Sequence, residues 1–184
     1  MSAPTVARVL GLLRVEGSVG YFGEDVTLTE HQLQTAHRAE LEGASASLIV
    51  AALLHDIGWI VQASSRGHRE VPHEQLGADW LSTLLPREVT EPIRLHVPAK
   101  RYLCSTRQGY QATLSETSLR TLVAQGGPLD AGEVLEFERN SHASDALRLR
   151  QWDDLAKVPG APTPDLDHYA PLLSDLAAAK AGRE

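Results

Sequence analysis

Apolar residues recur along this chain at helical spacing, separated by short polar, Gly or Pro stretches. The clearest run is Leu48 to Leu54, seven apolar residues without a Gly, Pro or charge between them. That pattern predicts a helix from about 45 to 61 that is apolar all round and so central in the fold. It runs straight into His55-Asp56-Ile57-Gly58. Before it, Val6, Val9, Leu10 and Leu13 predict a first amphipathic helix over 4–16, and Thr27 with Glu30 makes a capping box that starts a second over about 28–42, with His31 in its first turn.

After a polar loop, Gln62 to Pro72, a fourth helix is predicted with His73, Leu76, Trp80 and Leu84. The next, over about 87–97, carries Ile93, Leu95 and His96, and Pro98 predicts a bend or stop. Ser115 opens a helix with Leu119 and Leu122 inward that ends at Gly126-Gly127-Pro128. Asp130 and Glu133 cap a short one through Phe137, and two more are expected over 143–155 and about 167–180. No alternating stretch is long enough for a strand, so the expected class is all-α, with residues 1–184 forming a single domain.

Composition narrows the partners. A formal charge of −7 without a Lys/Arg-rich run argues against nucleic acid or an anionic membrane. The single cysteine, Cys104, excludes an internal disulfide and fits a reducing cytoplasm. No signal peptide is evident, and no apolar run is judged to approach the ~18 residues that span a bilayer.

The chemistry lies in the histidines. Of eight, His31, His55, His73 and His96 each fall at or near the end of a separate predicted helix, the arrangement by which bundles project ligands into a shared interior. His37 lies round the helix from His31, His68 falls in the loop, and His142 and His168 lack an apolar setting. Asp56 beside His55 is costly to bury unless a cation compensates both. Asp153 completes a candidate set, although from spacing alone an exposed helix acid beside Asp154 is the better reading of it. Six N and O ligands exceed one tetrahedral ion and suit two iron, manganese or zinc ions, with Asp56 able to bridge them.

The order His31, His55-Asp56 and a distant Asp153 resembles the metal-dependent HD-domain superfamily, an all-helical fold, and the interposed His73 and His96 look like its dinuclear subgroup. Tyr21-Phe22-Gly23-Glu24, His96-Val97-Pro98-Ala99-Lys100-Arg101-Tyr102-Leu103, Gln125-Gly126-Gly127-Pro128 and Arg150-Gln151-Trp152-Asp153 are similar to the HD-domain mixed-valent diiron oxygenases of phosphonate breakdown, with myo-inositol oxygenase more distant. The similarity runs from Tyr21 to about Tyr169.

That resemblance implies a mixed-valent Fe(II)/Fe(III) pair, dioxygen as co-substrate, and cleavage of the carbon–phosphorus bond of 2-amino-1-hydroxyethylphosphonate or a close analogue, releasing phosphate and a carboxylate such as glycine. It implies metal ligation by His31, His55, Asp56, His73, His96 and Asp153. It also implies phosphonate contacts from Lys100 and Arg150, polar contacts from Ser118 and Gln125, an ammonium partner in Glu24, and in Tyr21 a residue that substrate displaces. Lys100, four residues after His96, reaches the same cavity on helical spacing alone. Trp59 stands where the best-known member has histidine, and brings a larger apolar face with one donor. A phosphohydrolase using a metal-bound hydroxide, and a non-catalytic metal-binding or ligand-sensing domain, are the alternatives. A monomer or weak homodimer is expected.

Overall fold

The computed structural model describes residues 3–63 and 71–183, so His68 and most of the expected 62–72 loop lie outside the described residues. Ten α-helices follow one another there: α1 (Val6–Val15), α2 (Leu28–Leu41), α3 (Ala46–Leu54), α4 (Ile57–Ala63), α5 (His73–Leu81), α6 (Arg87–Thr106), α7 (Glu116–Ala124), α8 (Ala131–Arg139), α9 (Ala143–Leu155) and α10 (Leu166–Ala181). Short 3-10 turns at Glu16–Ser18 and Tyr110–Thr113 join them, and the only β pairing among the described residues is an isolated bridge between Gly20 and Thr27. The class is all-α.

Both expected capping boxes form. Thr27 Oγ1 accepts from Glu30 N at 3.1 Å while Glu30 Oε2 accepts from Thr27 N at 2.7 Å, and Asp130 and Glu133 repeat the exchange at 2.8 and 2.9 Å. Each box satisfies two backbone donors that the first helical turn leaves free, which fixes the start of α2 and α8 to the residue.

Three elements depart from the sequence pattern. The central apolar helix does not continue through His55-Asp56: α3 ends with His55 as its C-cap, and α4 starts afresh at Ile57. Conversely, α6 runs 20 residues and passes through Pro92 and Pro98 instead of stopping. Each proline removes one backbone hydrogen bond. The inward face of α6, with Val89, Ile93, His96, Val97, Ala99, Lys100 and Leu103 buried, packs against α3, α5 and α9, so tertiary burial outweighs that loss. The fourth helix also ends earlier than expected, at Leu81, leaving Leu84 beyond it.

α3 lies at the centre of the largest core cluster, where Leu48 and Val50 to Leu54 are 0–1% exposed. Residues of α1, α2, α5, α6, α9 and α10 close around it. Two smaller clusters flank this core, one holding Ala99, Phe137 and Ala146, the other Leu103, Tyr110, Leu114 and Leu122. The 18 residues Ala46–Ala63 have a mean hydropathy of 1.6 and pass a length-and-composition test for membrane crossing, which corrects the expectation that no such run exists. Their 72% burial inside the bundle and the break at His55-Asp56 account for that composition as core.

Candidate metal centre

The break after α3 creates the site. His55 caps α3 and Asp56 lies in the turn, while α4 packs against the N-terminal end of α5 at Gly58 and Gly77. A Cβ on Gly58 would come within 1.9 Å of the His73 carbonyl oxygen, so only glycine permits the contact that brings His73 beside Asp56. The first turn of α2 supplies His31, the middle of α6 supplies His96, and the last turns of α9 supply Asp153. All six candidate ligands are buried.

The imidazoles are oriented from behind. Nδ1 of His31 donates to the Ala156 carbonyl at 2.8 Å, that of His55 to Ala52 at 2.9 Å and that of His96 to Ile93 at 2.7 Å. His73 Nδ1 lies 3.1 Å from the buried Glu74 carboxylate. A carbonyl oxygen only accepts, so Nδ1 of His31, His55 and His96 carries a hydrogen, and in the neutral ring, the form a metal ligand takes, Nε2 then holds a lone pair. Yet Nε2 of His31 and His55 are 3.2 Å apart, and Nε2 of His73 and His96 are also 3.2 Å apart. Two lone pairs facing each other in a dry interior repel, and a cation coordinated by both removes the repulsion.

Asp56 stands between the two pairs. Its Oδ2 is 3.4 Å from His55 Nε2 and 3.9 Å from His31 Nε2, while its Oδ1 is 3.0 Å from His73 Nε2 and 3.6 Å from His96 Nε2. Asp153 Oδ1 joins the first group, 3.3 Å from His31 Nε2. The donors therefore form two sets sharing one carboxylate: His31, His55, Asp56 and Asp153, and Asp56, His73 and His96. Mixed imidazole and carboxylate donors suit a pair of divalent or trivalent transition ions, so the residues fit a dinuclear metal centre.

The charges agree. Burial works to raise Asp56, but His55, then His73 and His96, outweigh it and hold the carboxyl well below its usual range. Asp153 is likewise held ionised against burial, chiefly by Arg150, whose Nη1 is 2.5 Å from its Oδ2. Burial pushes His96 down, which favours the neutral form a metal ligand needs.

A cavity of about 40 Å³ opens onto this centre. Tyr21 Oη donates to Asp56 Oδ2 at 2.7 Å and the ring stacks on His31, 4.2 Å between centroids. Burial and the Asp56 charge push its phenol well up, so it stays protonated. Trp59 stacks flat on His73 at 4.3 Å, and Phe22, whose φ of 45° is unusual for a non-glycine, packs against Trp59. Lys100 donates to Thr121 Oγ1 at 2.9 Å. Burial, then Arg150, brings its pKa down to about 8.

Of the residues singled out in the sequence, Tyr21, Lys100, Ser118, Gln125 and Arg150 line this cavity with Asp56, His73, His96 and Asp153. Arg150 is engaged by Asp153 and Asp154, so it holds a candidate ligand in place as well as facing the cavity. Gln125 Oε1 is buried without a hydrogen-bond partner among the described residues. Glu24 does not reach the wall: it accepts from Ser115 Oγ at 2.7 Å and lies 3.9 Å from Lys157 Nζ. Thr121, Phe22 and Lys157 also line the cavity and were not picked out. Lys157 follows Asp153 by four residues, the same spacing that singled out Lys100 after His96, so the signal was present. Of the excluded histidines, His37 and His168 sit apart, both on Glu40.

No protein-family model matches the chain. Among curated proteins, it is 41% identical over 170 residues to the [1-hydroxy-2-(trimethylamino)ethyl]phosphonate dioxygenase (glycine-betaine-forming) of Leisingera caerulea, covering 90% of this chain and 87% of that protein. It is 45% identical over 154 residues to the hydroxymethylphosphonate dioxygenase of Gimesia maris, covering 81% and 77%. An uncharacterized protein of Acanthamoeba polyphaga mimivirus, L432, is 32% identical over 174 residues, covering 91% and 80%.

Proposed function

The chain belongs to the HD-domain phosphonate dioxygenase family, and we propose that it is an oxygenase that cleaves the carbon–phosphorus bond of a small α-hydroxyphosphonate at a mixed-valent diiron centre. The observation that carries this reading is Asp56, with one oxygen toward His31 and His55 and the other toward His73 and His96. A shared carboxylate between two imidazole pairs supports two ions held close together. His31, His55, Asp56 and Asp153 would hold one ion, and Asp56, His73 and His96 the other. Iron there supplies the Lewis acidity and one-electron chemistry that dioxygen requires.

In the net reaction a hydroxyl-bearing carbon bonded to phosphonate, plus one dioxygen, becomes a carboxylic acid plus phosphate. Atoms balance without added water: the carbon–phosphorus bond breaks, carbon and phosphorus each gain an oxygen, and dioxygen is fully reduced. The chain's own residues bind and orient. The Lys100 ammonium, whose hydrogen bonds go to neutral oxygens, attracts a phosphonate dianion, and the unpartnered Gln125 Oε1 is ready to accept from a substrate hydroxyl. Arg150 keeps Asp153 ionised and aimed at the centre. Tyr21 keeps its proton on Asp56, and substrate entry must displace that hydrogen bond. Trp59 covers one face of His73, and Phe22 packs on Trp59.

The test is to load the protein with iron, reduce it partly, and record EPR spectra with and without hydroxyphosphonates. A coupled Fe(II)/Fe(III) signal that changes with substrate, together with phosphate release that stops under anaerobiosis, is expected. A mononuclear signal, or phosphate released from phosphate esters without oxygen, overturns the reading in favour of a hydrolase.

A further inference from the structure

The acids on the cavity wall among the described residues are Asp56 and Asp153, both committed to the candidate metal centre, whereas Lys100, Arg150 and Lys157 all face the same space. Arg150 is neutralised by Asp153 and Asp154. The oxygens to which Lys100 donates are both neutral, Thr121 Oγ1 at 2.9 Å and the Ser118 carbonyl at 3.5 Å.

Lys157 connects the wall to Glu24, an acid just behind it. Its Nζ donates to Ser118 Oγ on the wall at 3.0 Å, lies 3.4 Å from Ser115 Oγ, and is 3.9 Å from Glu24 Oε1. Ser115 Oγ donates to that same Glu24 oxygen at 2.7 Å. The two side chains are only 11% and 18% exposed, so this Lys157, Ser115 and Glu24 cluster is largely withdrawn from water. The negative charge at this end of the cavity is therefore already matched by a lysine of the chain itself.

We infer that Lys157 occupies the place where a cationic substituent of a substrate would otherwise meet its carboxylate, and that the site selects α-hydroxyphosphonates whose substituent is uncharged and small, hydroxymethylphosphonate being the smallest. This rests on the phosphonate dioxygenase reading above and gives it a substrate class. An ammonium group entering the cavity would lie near Lys100 and Lys157 with no uncommitted carboxylate to receive it, and like charges brought together are strongly penalised. The aromatic faces of Trp59 and Tyr21 are already partly covered, and the Phe22 ring, 44% exposed, carries no formal charge to match an ammonium. One face of Trp59 is stacked on His73 and Phe22 packs on the ring, while Tyr21 is stacked on His31 with Phe22 at its edge. A phosphonate dianion meets the opposite situation, two ammonium groups within a small volume.

The experiment compares hydroxymethylphosphonate with 2-amino-1-hydroxyethylphosphonate on the iron-loaded enzyme, by anaerobic calorimetry for binding and by phosphate release under oxygen for kcat/KM. Wild type should favour hydroxymethylphosphonate by about a hundredfold in kcat/KM, with the dissociation constants ordered the same way. Lys157→Met should shrink that ratio by about tenfold, by exposing Glu24 to the ammonium, and adding Glu24→Gln should abolish the shift. Preference of the wild type for the amino compound overturns the inference while leaving the dioxygenase reading intact, and this comparison stands even if Lys157→Met does not fold. So does an unchanged ratio in a folded, iron-loaded Lys157→Met protein. Release of phosphate from neither compound, with oxygen-independent hydrolysis of phosphate esters instead, overturns both.

Discussion

Gly58 and His73 touch through their backbones: a side chain on Gly58 would overlap the His73 carbonyl oxygen, at 1.9 Å from the first added carbon. That contact joins α4 to α5 and sets His73 Nε2 3.0 Å from Asp56 Oδ1. Gly58→Ala must push the start of α5 away, a strain of about 1–3 kcal/mol by analogy with overpacked cores. Metal analysis of the folded variant should show iron falling from about two toward one per chain, because His73 leaves its set while His31, His55 and Asp153 stay. Unchanged iron content would show that α5 can shift without moving His73.

Asp56 faces both histidine pairs, so its loss should differ from that of any one histidine. Asp56→Asn keeps the shape and removes the charge that both sets share. Iron content should drop to below about one per chain, and the coupled EPR signal should vanish. His96→Ala, which touches only one set, should leave an uncoupled mononuclear signal. Retention of coupling in Asp56→Asn would mean that something other than this carboxylate joins the ions.

The pH profile should carry the signature of Lys100. Burial, followed by the neighbouring Arg150 charge, lowers its pKa to about 8. A lysine with a lowered pKa is charged below that value and neutral above it, so attraction for a phosphonate dianion is present at pH 7 and lost as pH rises through about 8. The kcat/KM of wild type should therefore fall above that pH. Lys100→Met should lack this alkaline limb and raise KM by about ten- to a hundredfold, the loss expected for a hydrogen bond to a charged group. A limb that survives in Lys100→Met would assign it to another group.

Leu53 tests the core independently of the chemistry. It is fully buried in the middle of α3, surrounded by the main apolar cluster. Leu53→Ala should lower the unfolding free energy by about 2–5 kcal/mol in urea titrations, through lost transfer energy plus a cavity. Iron content of the protein still folded should be unchanged. A loss below about 1 kcal/mol would mean that α3 is less central than its burial indicates.

The class of the fold and the starts of its helices were legible in the sequence because both are local. A run such as Leu48 to Leu54 is buried on all sides whatever its neighbours are, and capping at Thr27 or Asp130 is decided within four residues. The placing of His31, His55, His73 and His96 on separate helices was legible for the same reason. Where the chain ends or continues a helix was not. His55-Asp56 breaks an apolar run that nothing local interrupts, because α4 must turn to meet α5 at Gly58, and α6 passes through Pro98 because its inner face is packed on three other helices. The opposed Nε2 atoms, the two-sided position of Asp56 and the pairing of Lys157 with Glu24 join residues far apart in the chain. Only tertiary packing decides such distances, since helical periodicity sets the direction in which a side chain leaves its own helix and carries no information about what stands opposite.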